Sequence, residues 1–151
     1  MLKIFFALLM LGASICFGQN HVTWELGFDY EGSIIQVKGE IEEGWHLYSM
    51  LTPLEAGPIP VEINTKKSKQ FKTKGTFVEK YKASKIFDVN FDADVYIFEK
   101  NYLAEQQIKL KKNSSLNETI IDTTVTYMIC NDERCLPPID KKLSIKLNSD
   151  D

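Results

Sequence analysis

The sequence predicts an all-β fold, a sandwich or a barrel, on three observations. Apolar residues recur with a period of two, no segment carries a sustained 3.6-residue apolar stripe, and Gly-, Pro- or Asn-bearing turn signals separate the short runs. The 151 residues suffice for one domain and are too few for two of ordinary size. A domain of this size buries roughly two-thirds of its unfolded surface and can hold a core without a covalent staple.

The first eighteen residues stand apart from that domain. Lys3 supplies a positive start, residues 4–11 are unbroken apolar sequence, and Gly12, Ala13 and Ser14 precede a plausible cleavage point after Gly18. This is the pattern of a secretory signal peptide, and it is too short for a membrane span. Residues 1–18 are thus read as the signal peptide of an exported chain and residues 19–151 as the β-domain. Cys16 offers an alternative, a lipid anchor, although the bulky Ile15 stands where a small residue is usual. No later stretch is long and apolar enough to cross a bilayer. Cleavage removes Lys3 from the 18 basic residues and leaves 17 against 21 acidic ones, a net charge of −4. That balance gives no support for nucleic-acid binding and suits an ordinary soluble domain.

Along the mature chain, Val22, Trp24, Leu26, Phe28 and Tyr30 alternate with polar or small residues. Glu31-Gly32 supplies a turn, and Ile35, Val37, Gly39 and Ile41 resume the alternation, so the two runs read as a hairpin. Further strands are expected at residues 60–64, 93–98, 106–111, 119–129 and 142–147. Residues 50–60 hold Pro53, Gly57, Pro58 and Pro60 and read as an irregular connection. Residues 66–74 are Lys-rich and read as a solvated loop. Trp24 and Trp45 read as core aromatics.

Two cysteines remain after cleavage, Cys130 and Cys135. In an exported protein an even pair is read first as a disulfide and second as a metal site. The metal reading is weak: two thiolates make half a structural zinc site, and neither His21 nor His46 has ligand spacing with the cysteines. No metal or cofactor is therefore expected. Five residues of extended chain would span roughly 17 Å, whereas a disulfide needs Cα atoms within about 7 Å. The chain must turn back, and Asn131-Asp132 are good turn residues. Pro137 and Pro138 then keep Leu136 out of a central strand. The pair is placed at a tight turn or hairpin end.

Spacing alone leaves two readings open, a structural staple and a reactive bridge. A loop this short gains only about 2 kcal/mol in the chain-entropy model. Strained or exposed disulfides are the labile ones. Asp132 and Glu133 disfavour a thiolate and Arg134 favours one, with no histidine nearby in sequence to act as a base. The free dithiol is expected to be a sluggish nucleophile until a partner docks. No nucleophile elbow, paired catalytic carboxylates or phosphate-binding glycine loop points to a hydrolase.

Residues 125–140, VTYMICNDERCLPPID, resemble the active-site segment of the N-terminal periplasmic domain of DsbD, the transmembrane thiol–disulfide interchange protein. Gly44-Trp45-His46-Leu47-Tyr48-Ser49 resembles that family's G-W-H-L-Y-S segment, and Trp24 and Gly57-Pro58-Ile59-Pro60 fit in the same order. The resemblance implies an immunoglobulin-like β-sandwich located in the periplasm. It implies electrons accepted from a thioredoxin-like donor and passed to disulfide isomerases or cytochrome-c-maturation thiol proteins. It maps the attacking thiol to Cys135 and the resolving thiol to Cys130. It also implies a cap loop over the disulfide, best matched by Asp88-Val89-Asn90-Phe91-Asp92 with Phe91 as the cap, and a tyrosine beside the disulfide, Tyr48. Asp92 stands where the family often has glycine, and the chain stops where family members commonly continue into membrane helices and a thioredoxin-like domain. A monomer is expected. The competing function is a non-catalytic exported immunoglobulin-like binding module with a structural disulfide.

Overall fold

The computed structural model describes residues 21–148, so the expected signal peptide and Cys16 lie outside the described residues. Eleven strands form among them, with two short 3₁₀ turns and no α-helix. No described helix is long and apolar enough to cross a membrane. The fold is an immunoglobulin-like sandwich.

The expected first hairpin forms as β1 (Val22–Asp29) and β2 (Ile34–Ile41), paired antiparallel from Val22↔Ile41 to Asp29↔Ile34. Strand β2 pairs in turn with β8 (Asn101–Leu110), and β8 with β5 (Phe71–Glu79), giving a four-stranded sheet in the order β1-β2-β8-β5. A second sheet has the order β11-β9-β4, from β4 (Glu62–Thr65), β9 (Ile120–Tyr127) and β11 (Ile139–Lys146). The third is β10-β3-β7-β6, from β3 (His46–Tyr48), β6 (Ser84–Asp88), β7 (Ala93–Phe98) and β10 (Ile129–Cys130).

Period-two burial places the core. Val22 and Trp24 of β1, Ile35 and Val37 of β2, Tyr102, Ala104 and Ile108 of β8, and Ile121, Val125 and Tyr127 of β9 turn inward into one cluster. Gly39 continues the inward set of β2 because no larger residue fits there: a Cβ would lie 3.0 Å from the Trp24 ring. The disulfide sits outside this cluster. Cys130 belongs to a smaller one with Tyr48, Val95 and Ile97.

The structure departs from the sequence expectation at four places. Residues 66–74 are not all loop, because β5 begins at Phe71. Its alternation is hidden: five exposed residues separate buried Phe71 from buried Phe77, and the register with β8 shifts between Lys74 and Val78 around Gly75, whose φ is +66°. Strand β3 is buried at all three positions and has no alternation to read. Strand β6 is an edge strand that exposes Phe87, so its apolar residues do not mark one face. The expected strand over residues 119–129 is broken at Met128 into β9 and β10.

Burial predicts a sharp difference between two neighbours on β9. Ile121 is fully buried and Ile120 is 51% exposed. Ile121→Ala is expected to cost about 2–5 kcal/mol, and Ile120→Ala no more than about 0.5 kcal/mol, in urea unfolding. Equal losses would contradict this placement of the core.

Candidate functional site

The cysteine hairpin follows from a strand that changes sheet. After Met128 the chain leaves β9, and β10 pairs with β3 through Ile129↔Leu47 and Cys130↔His46. Asn131 then closes the turn: its Oδ1 accepts the backbone N–H groups of Glu133 (3.0 Å) and Arg134 (2.8 Å), and its own N–H donates to the Arg134 carbonyl (2.9 Å). Cys135 returns opposite Cys130 as an antiparallel bridge, and the Leu136 N–H donates to the Ile129 carbonyl (2.9 Å). The two sulfurs are bonded, with the Cα atoms 4.0 Å apart. The two halves of the bridge differ in access. Cys130 is 0% exposed, whereas Cys135 is only partly buried.

Tyr48 lies beside the bridge. It is fully buried on β3, its hydroxyl donates to Asp88 Oδ2 at 2.6 Å, and the same oxygen is 3.9 Å from Cys135 Sγ. Asp88, the last residue of β6, is 2% exposed, and its Oδ1 accepts the Asn90 N–H at 2.8 Å. His46 joins the same group: Nε2 is 3.2 Å from the Tyr48 hydroxyl and 3.9 Å from Asp88 Oδ2. Burial pushes the Tyr48 hydroxyl far above its ordinary range, and the hydrogen bond to Asp88 and its charge add to this. The phenol therefore keeps its proton at any physiological pH. Burial lowers the His46 pKa against the opposing pull of Asp88, Asp132 and Glu99, so the ring is neutral at pH 7.

Residues 88–92 form the turn between β6 and β7. The Phe91 ring meets Tyr48 edge to face at 6.0 Å and packs so closely on Gly57 that a Cβ there would lie 2.8 Å from Phe91 Cδ1. Gly57 itself has φ +106°. Asp92 takes φ +53°, a left-handed conformation that a short polar side chain tolerates, which is how this chain does without a glycine there. Asn90 Nδ2 donates to the Asn131 carbonyl at 3.4 Å and so links this turn to the cysteine hairpin. On the outer side, the Arg134 guanidinium lies 5.8 Å from the centroid of the Trp45 ring. Trp45 is thus a core aromatic that also steadies the cysteine turn.

All five residues singled out from sequence, Cys130, Cys135, Tyr48, Asp88 and Phe91, lie in one cluster or pack against it. Two neighbours were not anticipated. His46 has a readable signal, since residues two apart on a strand share a face and Tyr48 already points to the sulfurs. Gly57 stands in the Gly57-Pro58-Ile59-Pro60 segment that fits the family, but its contact with Phe91 spans two connections that only the fold brings together. Among the described residues no group of three or more His, Cys, Asp or Glu side chains is placed to hold a metal.

Two predictions follow from this geometry. Phe91→Ala is expected to speed reduction of the bridge by dithiothreitol roughly tenfold, equivalent to about 1.4 kcal/mol of lost shielding; an unchanged rate would show that the ring does not shield it. The second concerns acid. Unfolded His46 takes up a proton near pH 6.5, whereas the folded ring does so only at lower pH. The unfolded state thus binds more protons in that window, and folding stability falls as pH drops below about 6.5. His46→Gln should flatten that part of the curve of unfolding free energy against pH, and an unaltered curve would contradict the assignment.

Comparison with known proteins bears on the fold and the family. The family described as thiol:disulfide interchange protein DsbD, N-terminal, matches residues 19–147. No curated relative matches the chain. Among solved structures, the reduced N-terminal domain of DsbD from Neisseria meningitidis superposes with a TM-score of 0.59 at 15% identity, over 85% of this chain and 87% of that one. The complex of the DsbD and PilB N-terminal domains from the same organism gives 0.58 at 16% identity, over 84% of each chain. The N-terminal periplasmic domain of ScsB from Proteus mirabilis gives 0.55 at 16% identity, over 83% of this chain and 45% of that one. At such identities the structural likeness shows the fold, while the match over residues 19–147 shows the family: this chain belongs to the N-terminal domains of the thiol:disulfide interchange protein DsbD.

Proposed function

We propose that this protein is a periplasmic thiol–disulfide relay, exported by residues 1–18 and acting through residues 19–151 as a monomer. It takes two electrons from a thioredoxin-like or membrane donor and passes them to disulfide isomerase or cytochrome-c-maturation thiol proteins. The burial asymmetry of the bridge carries this reading: Cys135 reaches the surface and Cys130 does not. In the reduced protein the Cys135 thiolate attacks the partner's disulfide and one partner sulfur leaves. Cys130 then attacks Cys135 Sγ, the mixed disulfide breaks, and the partner departs with both thiols reduced. The Cys130–Cys135 bond remains, and the donor reopens it by the reverse exchange. The sulfurs carry the electrons, so no cofactor enters. Phe91, seated on Gly57, acts as the cap that limits adventitious exchange until a partner displaces it. The DsbD N-terminal domain solved in complex with the PilB N-terminal domain supports a protein partner docking on this fold.

Cys130→Ser, expressed in the periplasm, is expected to accumulate mixed disulfides through Cys135, separable on non-reducing gels. Capture by Cys135→Ser instead would reverse the two roles. If neither variant captures a partner and both are merely less stable, the bridge is a staple and the protein a binding module.

A further inference from the structure

We propose that the lysine-rich end of this domain, remote from the disulfide, docks on an anionic phospholipid membrane and holds the cysteine turn outward. The proposal rests on the exported relay reading above, since it names where that relay works.

The fold gathers the charge. Residues 66–74 and 109–112 carry eight lysines. The two segments meet because β5 pairs with β8 from Phe71↔Leu110 and the Lys111 N–H donates to the Gln70 carbonyl at 2.8 Å. Lys66 is held by Asp122 at 3.8 Å, and the Lys111 ammonium donates to the Ser68 carbonyl at 2.8 Å. Lys67, Lys69, Lys72, Lys74, Lys109 and Lys112 are exposed, and among the described residues none of the six has a hydrogen-bond or ion-pair partner. The carboxylates at this end, Asp29, Glu31, Glu118 and Asp122, are fewer, and Asp122 already serves Lys66 and the Ser144 hydroxyl.

The register adds a cost. Lys72 stands directly opposite Lys109 on the outer face of its sheet, and like charges so placed repel. An anionic surface would offset that repulsion. The sandwich is also polarised. The Lys66 N–H donates to the Asp122 carbonyl near the start of β9, and Cys130 follows the end of that strand, about 25 Å away at the strand rise. Asp92, Glu99, Asp132 and Glu133 are exposed at the disulfide end. An anionic membrane attracts one end and repels the other, which selects a single orientation.

The residue types favour lipid over a protein or a small ligand. A defined phosphate or carboxylate is held best by the arginine fork, and protein interfaces favour arginine and aromatic residues over lysine. This end has lysines alone, and the one arginine of the chain, Arg134, stands in the cysteine turn. Its exposed apolar side chain is Ile120, whereas Leu54, Phe87 and Val89 lie in or beside the connections that meet at Phe91 and Gly57. Flexible point charges without an apolar anchor cluster suit a diffuse anionic surface.

The test uses the mature exported protein, residues 19–151, which lacks Cys16 and with it any lipid anchor there. Sedimentation measures binding to vesicles of phosphatidylglycerol mixed with phosphatidylcholine, and to vesicles of phosphatidylcholine alone. Binding is expected to the mixed vesicles only, and it should weaken with added salt. A lysine near such a surface contributes about fivefold in affinity. Lys67→Gln, Lys72→Gln and Lys109→Gln together are therefore expected to weaken binding roughly a hundredfold. Lys38→Gln, Lys82→Gln and Lys100→Gln together make the same change in net charge elsewhere and should leave binding near the wild-type value. Dithiothreitol should reduce the bridge as fast on vesicles as in solution. Equal losses in the two triple variants, equal binding to both kinds of vesicle, or a bridge protected on vesicles would overturn the proposal. Absent vesicle binding, with slower mixed-disulfide formation by the first triple variant in vesicle-free solution, would assign this face to an acidic protein and overturn it too. The relay reading fails separately, if the wild type binds the mixed vesicles as expected and Cys130→Ser still captures no partner.

Discussion

The Tyr48–Asp88 hydrogen bond is the constraint on which the site depends. A fully buried phenol is costly unless its hydroxyl is satisfied, and Asp88 satisfies it at 2.6 Å. The bond joins two strands of different origin, one at the centre of the β10-β3-β7-β6 sheet and one at its edge. Because Asp88 also opens the turn that carries Phe91, fixing Tyr48 fixes where that ring can rest. Because Tyr48 shares its strand with His46, the same bond sets the imidazole opposite Cys130. One polar contact therefore ties together the turn that carries Phe91, the phenol 3.9 Å from Cys135 Sγ and the strand paired with the buried cysteine.

The bridge itself is not what the fold stands on. Closing so short a loop contributes only about 2 kcal/mol in the chain-entropy model, and the main cluster packs without either cysteine. A bond that can be opened and closed must leave the scaffold intact in both states. This architecture meets that condition by placing the sulfurs in a small cluster apart from the main one. The short hairpin keeps the freed thiols near each other, held by the Asn131 side chain and the Leu136–Ile129 backbone contact rather than by the disulfide alone.

Much of this was legible in the residues, for physical reasons that differ from element to element. The β1–β2 hairpin and β7 were readable because one face is buried and the other wet, which writes burial into the sequence as alternation. Strands β3 and β6 were not, since the first is buried throughout and the second lies at an edge. The cysteine turn was readable from chain geometry and Asn131, and the place of residues 88–92 beside the disulfide only from the family resemblance. Tyr48 and Asp88 came from that resemblance too, and their mutual bond is 40 residues apart in sequence. His46 lies far along the chain from the cysteines, and only its two-residue spacing from Tyr48 places it on the same face. The seat that Gly57 gives Phe91 shows only once two loops are folded against each other.

The central claim is that the Cys130–Cys135 bond is one a visiting physiological dithiol can open. Its reduction potential, measured by equilibration with glutathione or thioredoxin buffers of known poise, tests this most directly. A relay requires a value above about −300 mV, within reach of thioredoxin-like donors. A value well below that would mark the bond as a permanent staple and contradict the account.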